Sequence, residues 1–69
     1  MGLVIRIDAY ADWTRTYFVQ ELDVSEAKRK AFDMFKKTVS CYLPETVEEA
    51  ETDDAILIEV IGEVEQIIL

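Results

Sequence analysis

The chain has no histidine, one cysteine and two glycines among its 69 residues. Without histidine it lacks the commonest general base and the usual member of a catalytic triad. The lone Cys41 cannot form a disulfide within the chain or complete a structural zinc site, so we expect it to be a packing residue. Two glycines are too few for a phosphate-binding loop, and no nucleotide-binding motif is present. We therefore expect a protein that is not an enzyme and that uses no metal or cofactor.

Length and composition limit the architecture. A chain of 69 residues forms a single domain, 1–69, and a domain of this size is marginally stable alone. A hydrophobic content of 51% is nevertheless enough for a core and too high for a disordered chain. Because no disulfide or metal adds stability, dimerisation or docking on a partner is a reasonable further source of it.

The N-terminal segment lacks the pattern of a signal peptide. No basic region precedes its apolar residues, and Arg6 and Asp8 interrupt them. No apolar stretch is long enough to span a membrane, and the C-terminal Ile67-Ile68-Leu69 is far too short. Together with the single cysteine, which fits a reducing compartment, these features predict a cytoplasmic protein without membrane contact.

Charge is distributed unevenly along the chain. The net charge is −8, yet residues 1–37 contain all seven lysines and arginines beside six acids. Residues 38–69 contain nine acids and no base. The resulting negative field opposes direct binding of nucleic acid, although Lys28, Arg29, Lys30, Lys36 and Lys37 lie on an expected helix.

Two strands are predicted at the N-terminal end. Residues 3–10 alternate apolar and mostly polar side chains with a period of two, which is typical of a strand with one buried face. Residues 11–14 are expected to form a turn, although they lack the Asn-Gly or Asp-Gly pair that is typical of a two-residue β-hairpin loop. Residues 15–22 are rich in aromatic and β-branched types and predict a second, antiparallel strand.

An amphipathic helix is expected from Asp23 to about Tyr42. Asp23 has the character of an N-cap, with Glu26 as its capping-box partner, and Pro44 ends the segment. At 100° per residue one apolar face collects Val24, Ala27, Ala31, Phe32, Phe35, Val39 and Tyr42.

The remaining residues predict an acidic connector and a last strand. Residues 45–54 are the connector, in which residues 45–51 can form one or two helical turns after Pro44, and residues 55–61 predict a third strand. Gly62 permits either a bulge within one long strand or a turn into a fourth strand, 63–69, and the side-chain parity across it favours the former. The expected fold is α+β: an antiparallel sheet of three to four strands, in ββαβ or ββαββ order, with one amphipathic helix on one face.

The acidic part of the chain is the main candidate site. Residues two apart on a strand share a face, so Glu59, Glu63 and Glu65 are expected to form a row of carboxylates on the last strand. DNA is a dense array of negative charge, and carboxylates at comparable spacing can occupy a basic channel built for it. A plain solubilising surface is the alternative, but mixed signs serve solubility better than segregated ones. The expected partner-binding carboxylates are Glu45, Glu48, Glu49, Glu51, Asp53, Asp54, Glu59, Glu63 and Glu65.

Trp13 is the other candidate for partner binding. A tryptophan between Asp12 and Thr14 in an expected turn is placed either to anchor an interface or to fold back onto the edge of the sheet as core.

In length, α+β make-up, its acidic tract 45–65 and its lack of catalytic residues, the chain resembles the small inhibitors encoded by phages and mobile elements, in particular anti-CRISPR proteins. The resemblance implies a protein that blocks a CRISPR effector in the host cytoplasm, with the acids of 45–65 contacting its DNA-binding lysines and arginines. It carries over no residue by motif. The alternative is a structural or regulatory interaction module, such as an antitoxin-like or homodimeric subunit, that pairs through its sheet edge or its apolar C-terminal tail.

Overall fold

The computed structural model describes residues 1–65 and contains three strands and two helices. The strands form one antiparallel sheet in the order β2-β1-β3, and α1 packs on one face of it, as the sequence predicts for an α+β fold. Residues 66–69, which the sequence assigns to the last strand, lie outside the described residues. The elements are β1 (Gly2–Ala9), β2 (Trp13–Val19), α1 (Val24–Thr38), α2 (Val47–Glu51) and β3 (Ile56–Val64).

The inner face of the sheet, defined here as the face covered by α1, carries the core. The alternating apolar residues of the central strand β1 are all buried, which confirms the period-of-two prediction. From α1, Phe32 and Phe35 pack onto them and are essentially inaccessible to solvent. The buried residues of β1 are Leu3, Ile5, Ile7 and Ala9.

The turn between β1 and β2 begins one residue earlier and ends two residues earlier than the sequence predicts. It consists of residues 10–12, and Trp13 and Thr14 belong to β2. Tyr10 and Ala11 both have positive φ, 55° and 62°. Two successive left-handed residues match the right-handed twist of a tight hairpin. Because neither residue is glycine or asparagine, the sequence gives no signal for this turn.

Helix α1 begins where the sequence predicts and ends earlier. The Asp23 carboxylate accepts the backbone N–H of Glu26 at 3.0 Å, which confirms the N-cap. The reciprocal contact differs from the prediction, because the Asp23 N–H donates to the carboxylate of Glu21. The helix stops at Thr38, whose hydroxyl donates to the carbonyl of Met34 at 3.1 Å.

The early end of α1 changes the position of Tyr42. The backbone becomes extended at Val39, so Tyr42 leaves the apolar face to which helical periodicity assigned it. Its side chain is 88% exposed. Within the described part of the chain, no helix is long and apolar enough to cross a membrane.

Strand β3 is one continuous strand with a bulge, which confirms the preferred alternative at Gly62. Val60 lies opposite Ile5 and Gly62 opposite Val4, so Ile61 is the extra residue. The side-chain parity predicted across Gly62 is not preserved, because the bulge shifts the side-chain alternation by one residue. Its consequence for the acidic residues of β3 is described below.

Candidate interaction surface

The short helix α2 presents acidic side chains to solvent on a capped turn. Its N-cap is Thr46, whose hydroxyl oxygen accepts the backbone N–H of Glu49 at 3.2 Å. Val47 and Ala50 are buried and attach the helix to the core, so Glu48 and Glu49 face outward in the first turn. Negative charge at a helix N-terminus is favourable because the N–H groups there are unpaired.

One group of acids lies along the groove between α1 and α2, close to cations. Glu45, Glu48 and Glu51 line this groove at spacings of three residues, beside Lys28 of α1. The ammonium of Lys28 lies 3.3 Å from the carboxylate of Glu51, and the ammonium of Lys36 donates to the backbone carbonyl of Glu45 at 2.7 Å. Folding therefore brings cations of the N-terminal half beside acids of the C-terminal half and neutralises part of the acidic charge.

A second group of acids lies on the other side of α2. Together with Tyr42 these acids form what we call the acidic tip: Tyr42, Glu49, Asp53 and Asp54. These residues line one shallow groove together. The Asp53 carboxylate accepts the backbone N–H of Ala55 at 2.9 Å, which fixes the turn after α2. Within residues 1–65 the three carboxylates of the tip form no ion pair. They are therefore available to cations of a partner.

Tyr10 supports the acidic tip from the hairpin turn. Its hydroxyl donates to the carbonyl of Tyr42 at 3.1 Å, and its backbone N–H donates to the carbonyl of Ala55 at 2.8 Å. Partial burial raises the pKa of the Tyr10 hydroxyl, and the negative charge of Asp53 raises this pKa further. The loop after α1 is thus held against the turn that follows α2.

The acids of β3 do not form the single row that the sequence predicts. Glu59 lies opposite Arg6 on the open face, the face not covered by α1, and the two side chains form an ion pair of 2.9 Å. Beyond the bulge, Glu63 lies opposite Leu3, whose side chain points to the inner face. Opposed residues of an antiparallel pair share a face, so Glu59 and Glu63 point to opposite sides of the sheet.

Glu63 and Glu65 are also remote from the acidic tip. The first residue of β3 pairs with Ala9, whereas Glu63 pairs with Leu3, six residues away along β1. At about 3.3 Å per residue this separation is roughly 20 Å. The carboxylates predicted as one partner surface are therefore distributed over the tip, the groove between the helices, the open face and the far end of β3.

Trp13 occupies the end of β2 on the inner face, opposite Ala9. Its side chain is partly buried and packs against the core. Of the two alternatives from the sequence, the contacts observed are those of a core residue at the edge of the sheet, with part of the indole still accessible.

The cations of α1 are largely paired. Arg29 forms ion pairs with Glu26 and Asp33 at 2.9 and 3.2 Å, and the pKa of its guanidinium is raised, mainly by the hydrogen bond to Glu26. Lys30 lies 3.3 Å from Glu21, whose own pKa is lowered chiefly by the backbone N–H of Asp23 and then by Lys30. These pairs leave α1 with few cations for a phosphate backbone.

Sequence reasoning missed two residues of this region. Helical periodicity predicts Tyr42 on the apolar face of α1, because nothing in the local pattern shows that the helix ends at Thr38. Asp12, exposed in the hairpin turn beside Tyr10, adds a carboxylate at the same end of the molecule. Its placement near the acidic tip depends on the pairing of β1 with β3, which the sequence alone does not specify.

Among residues 1–65, no group of three or more acidic or cysteine side chains is arranged to hold a metal ion. Comparison of the chain with protein-family models, with curated protein sequences and with solved structures gave no match.

Proposed function

We propose that this protein is an inhibitor that binds a basic, nucleic-acid-binding surface of another protein complex through its acidic tip. The observation that carries the proposal is the grouping of three carboxylates, Glu49, Asp53 and Asp54, beside the exposed side chain of Tyr42. Within the part of the chain that the structure describes, these carboxylates form no ion pair. Lysines and arginines that contact phosphates are the complement of such a group.

The chemistry of the tip suits arginine in particular. A guanidinium forms paired hydrogen bonds with a carboxylate and also stacks on an aromatic ring. The tip offers both kinds of contact within one groove. Tyrosine is enriched among the residues that dominate binding energy at protein interfaces. Tyr42 therefore joins the carboxylates as a proposed contact residue.

The acids outside the tip have a secondary role in this proposal. Glu51 and Glu59 already have cationic partners in Lys28 and Arg6. A net charge of −8 still attracts a basic partner over a distance of about one Debye length and speeds its approach. The tip then supplies the contacts that persist in the complex.

The target to test first is a DNA-targeting CRISPR effector, following the resemblance to anti-CRISPR proteins. The tagged protein is incubated with a bacterial lysate that contains such effectors, at low and at high salt, and the retained proteins are identified by mass spectrometry. Recovery of a nucleic-acid-binding complex that is lost at high salt supports the proposal. Recovery of a salt-resistant partner that binds no nucleic acid contradicts it.

A pair of charge-matched variants then tests the acidic tip. Asp53→Asn/Asp54→Asn and Glu63→Gln/Glu65→Gln each remove two negative charges, but only the first pair alters the tip. Asparagine at position 53 keeps the oxygen that accepts the N–H of Ala55. We expect the first pair to weaken displacement of a fluorescent DNA duplex from the captured complex about tenfold, and the second pair to weaken it about twofold. Equal loss from both pairs would show that net charge, not the tip, determines binding.

A further inference from the structure

Strand β2 has a free edge. In the order β2-β1-β3 the central strand β1 has both edges paired, whereas among residues 1–65 the outer edges of β2 and β3 carry no further strand. An outer edge presents a row of unpaired backbone N–H and C=O groups, and these groups are complementary to another β-strand.

The two edges differ in how they are protected. The edge of β3 is interrupted by the bulge at Ile61 and carries the carboxylates of Glu59 and Glu63. Bulges and charges are common means of preventing strands from pairing edge to edge. Strand β2 has no bulge and a single charge: its register with β1 is regular over seven residues, and it contains no proline and no acid. The one charged residue, Arg15, donates to the carbonyl of Thr14 in the same strand at 2.8 Å.

We infer that β2 pairs antiparallel with β2 of a second copy of this chain, about a two-fold axis at Thr16, to form a six-stranded sheet. This inference is independent of the function proposed for the acidic tip. It rests on the unprotected edge, on the fit of β2 to itself, and on the distribution of charge.

Only one register satisfies the side chains of β2. Opposed residues of an antiparallel pair share a face, so the axis must pass through a residue and not between two. An axis at Arg15 would set two guanidiniums directly opposite each other. An axis at Tyr17 would leave Trp13 and Thr14 unpaired. An axis at Thr16 pairs all seven residues and sets Arg15 opposite Tyr17 of the second copy, where a cation can contact an aromatic ring.

The same register places apolar side chains together across the axis. Trp13 would lie opposite Val19 of the second copy, on the inner face. On the inner face Val19 borders an open groove with Met34 of α1, which is 38% exposed. The accessible part of the Trp13 indole can enter this groove, which gives the dimer an apolar contact at each end. Phe18, opposite Val4, points to the open face, where it would lie opposite Thr14 of the second copy.

The charge distribution favours this edge over other surfaces for self-association. Two copies with a net charge of −8 each repel one another over most of their surfaces. Residues 13–19 carry one positive charge and no negative charge. Added salt should therefore strengthen the dimer by screening the repulsion, whereas it should weaken binding to a basic partner.

Analytical ultracentrifugation of the full chain and of variants at Thr16 tests the inference. Thr16→Lys and Thr16→Glu each set two like charges face to face at the axis, but in an equimolar mixture they set opposite charges there. Thr16 is exposed on the open face, so both variants should fold, which circular dichroism checks. Ser40→Lys, on an exposed loop residue away from β2, is the control for added charge.

The full chain should change from 8.0 kDa to twice that mass between micromolar and millimolar concentration, with a blue shift of emission from its single tryptophan. Each Thr16 variant alone should dimerise about fivefold more weakly, the mixture should restore dimerisation, and Ser40→Lys should behave as the parent chain. A mass that stays at 8.0 kDa throughout this range would overturn the inference. Unchanged dimerisation of the single variants, or a mixture that fails to recover, would exclude an axis at Thr16.

Discussion

The hydroxyl of Tyr10 donates a hydrogen bond of 3.1 Å to the backbone carbonyl of Tyr42. This contact joins the hairpin turn to the loop that follows α1, across 32 residues of sequence. Because Tyr42 is otherwise exposed, the bond is a principal restraint on a residue of the acidic tip. The stability of the turn and the geometry of the tip are therefore coupled.

Tyr10→Phe should loosen this coupling in a pH-dependent way. The variant loses the hydrogen bond, and we expect its Tm near neutral pH to fall by about 3 °C. In the parent chain the folded-state pKa of Tyr10 is above its ordinary value, so the hydroxyl contributes stability below about pH 10 that is lost as the pH rises through the raised pKa. The difference in Tm between the two proteins should therefore shrink at high pH, which thermal denaturation at a series of pH values measures.

A matched variant identifies the charge that acts on Tyr10. Asp53→Asn removes the carboxylate whose field raises the Tyr10 pKa, while burial still raises it. Titration of tyrosine followed by NMR should show a lower pKa for Tyr10 in this variant and no comparable change after Glu63→Gln. An unaltered Tyr10 pKa in the Asp53 variant would mean that the charge of Asp53 does not act on the Tyr10 hydroxyl.

Ala11 is a site at which glycine should stabilise the protein. Its φ of 62° lies in the left-handed region, where a Cβ costs about 1 kcal/mol. Ala11→Gly removes that cost but makes the unfolded chain more flexible, so we expect a net gain of about 0.5 kcal/mol. The control Ala55→Gly, at an exposed turn residue without positive φ, should lose about 0.5 kcal/mol. Urea denaturation of both variants measures their free energies of unfolding, and destabilisation by Ala11→Gly would contradict the left-handed backbone at residue 11.

The parts of the fold that follow from local pattern could be predicted from the sequence. The alternation of Leu3, Ile5 and Ile7 determines which face of β1 is buried, and Asp23 marks the start of α1. Both signals depend on residues within a few positions of one another. The end of α1 was not predictable in this way, because Thr38 is compatible with a helix and its hydroxyl bond to Met34 is visible only in three dimensions.

The sequence predicts which residues make up the candidate site but not how they are arranged in space. The sequence shows which of residues 45–65 are acidic. Which of these acids form ion pairs depends on tertiary contacts such as that between Lys28 and Glu51. The bulge at Ile61 also reverses the side-chain alternation between Glu59 and Glu63. A one-residue irregularity of this kind changes which face every later residue occupies, and it has no sequence signature beyond a nearby glycine.

The two glycines of the chain should respond differently to alanine. A Cβ at Gly2 would lie 2.9 Å from the ring of Phe18 and would also meet the backbone carbonyl of Val19, which cannot move without breaking the sheet. We expect Gly2→Ala to destabilise the protein by about 2 kcal/mol. At Gly62 the nearest atom is a carbon of Val4 at 3.9 Å, an ordinary contact, so Gly62→Ala should change stability by less than about 0.5 kcal/mol. Thermal denaturation of the two variants compares them directly, and similar losses would contradict the close approach of Phe18 to Gly2.

Thr46→Ala separates the geometry of the acidic tip from its charge. The hydroxyl of Thr46 caps α2, and its loss should cost about 1 kcal/mol. A helix of five residues has little stability of its own, so we expect α2 to fray and Glu49 to lose its fixed position relative to Asp53. Faster hydrogen exchange of the Glu49 amide would report the fraying, with Thr46→Ser, which keeps the cap, as the control.

The same pair tests whether the tip acts as an ordered surface. The net charge is unchanged in both variants, so a partner that responds to charge alone should bind them equally. If the tip must present Glu49, Asp53 and Tyr42 together, Thr46→Ala should bind the complex captured from the lysate several-fold more weakly, whereas Thr46→Ser should bind as the parent chain does. Unchanged affinity of Thr46→Ala, with fraying demonstrated by hydrogen exchange, would rule out a preformed tip and leave long-range attraction as the basis of binding.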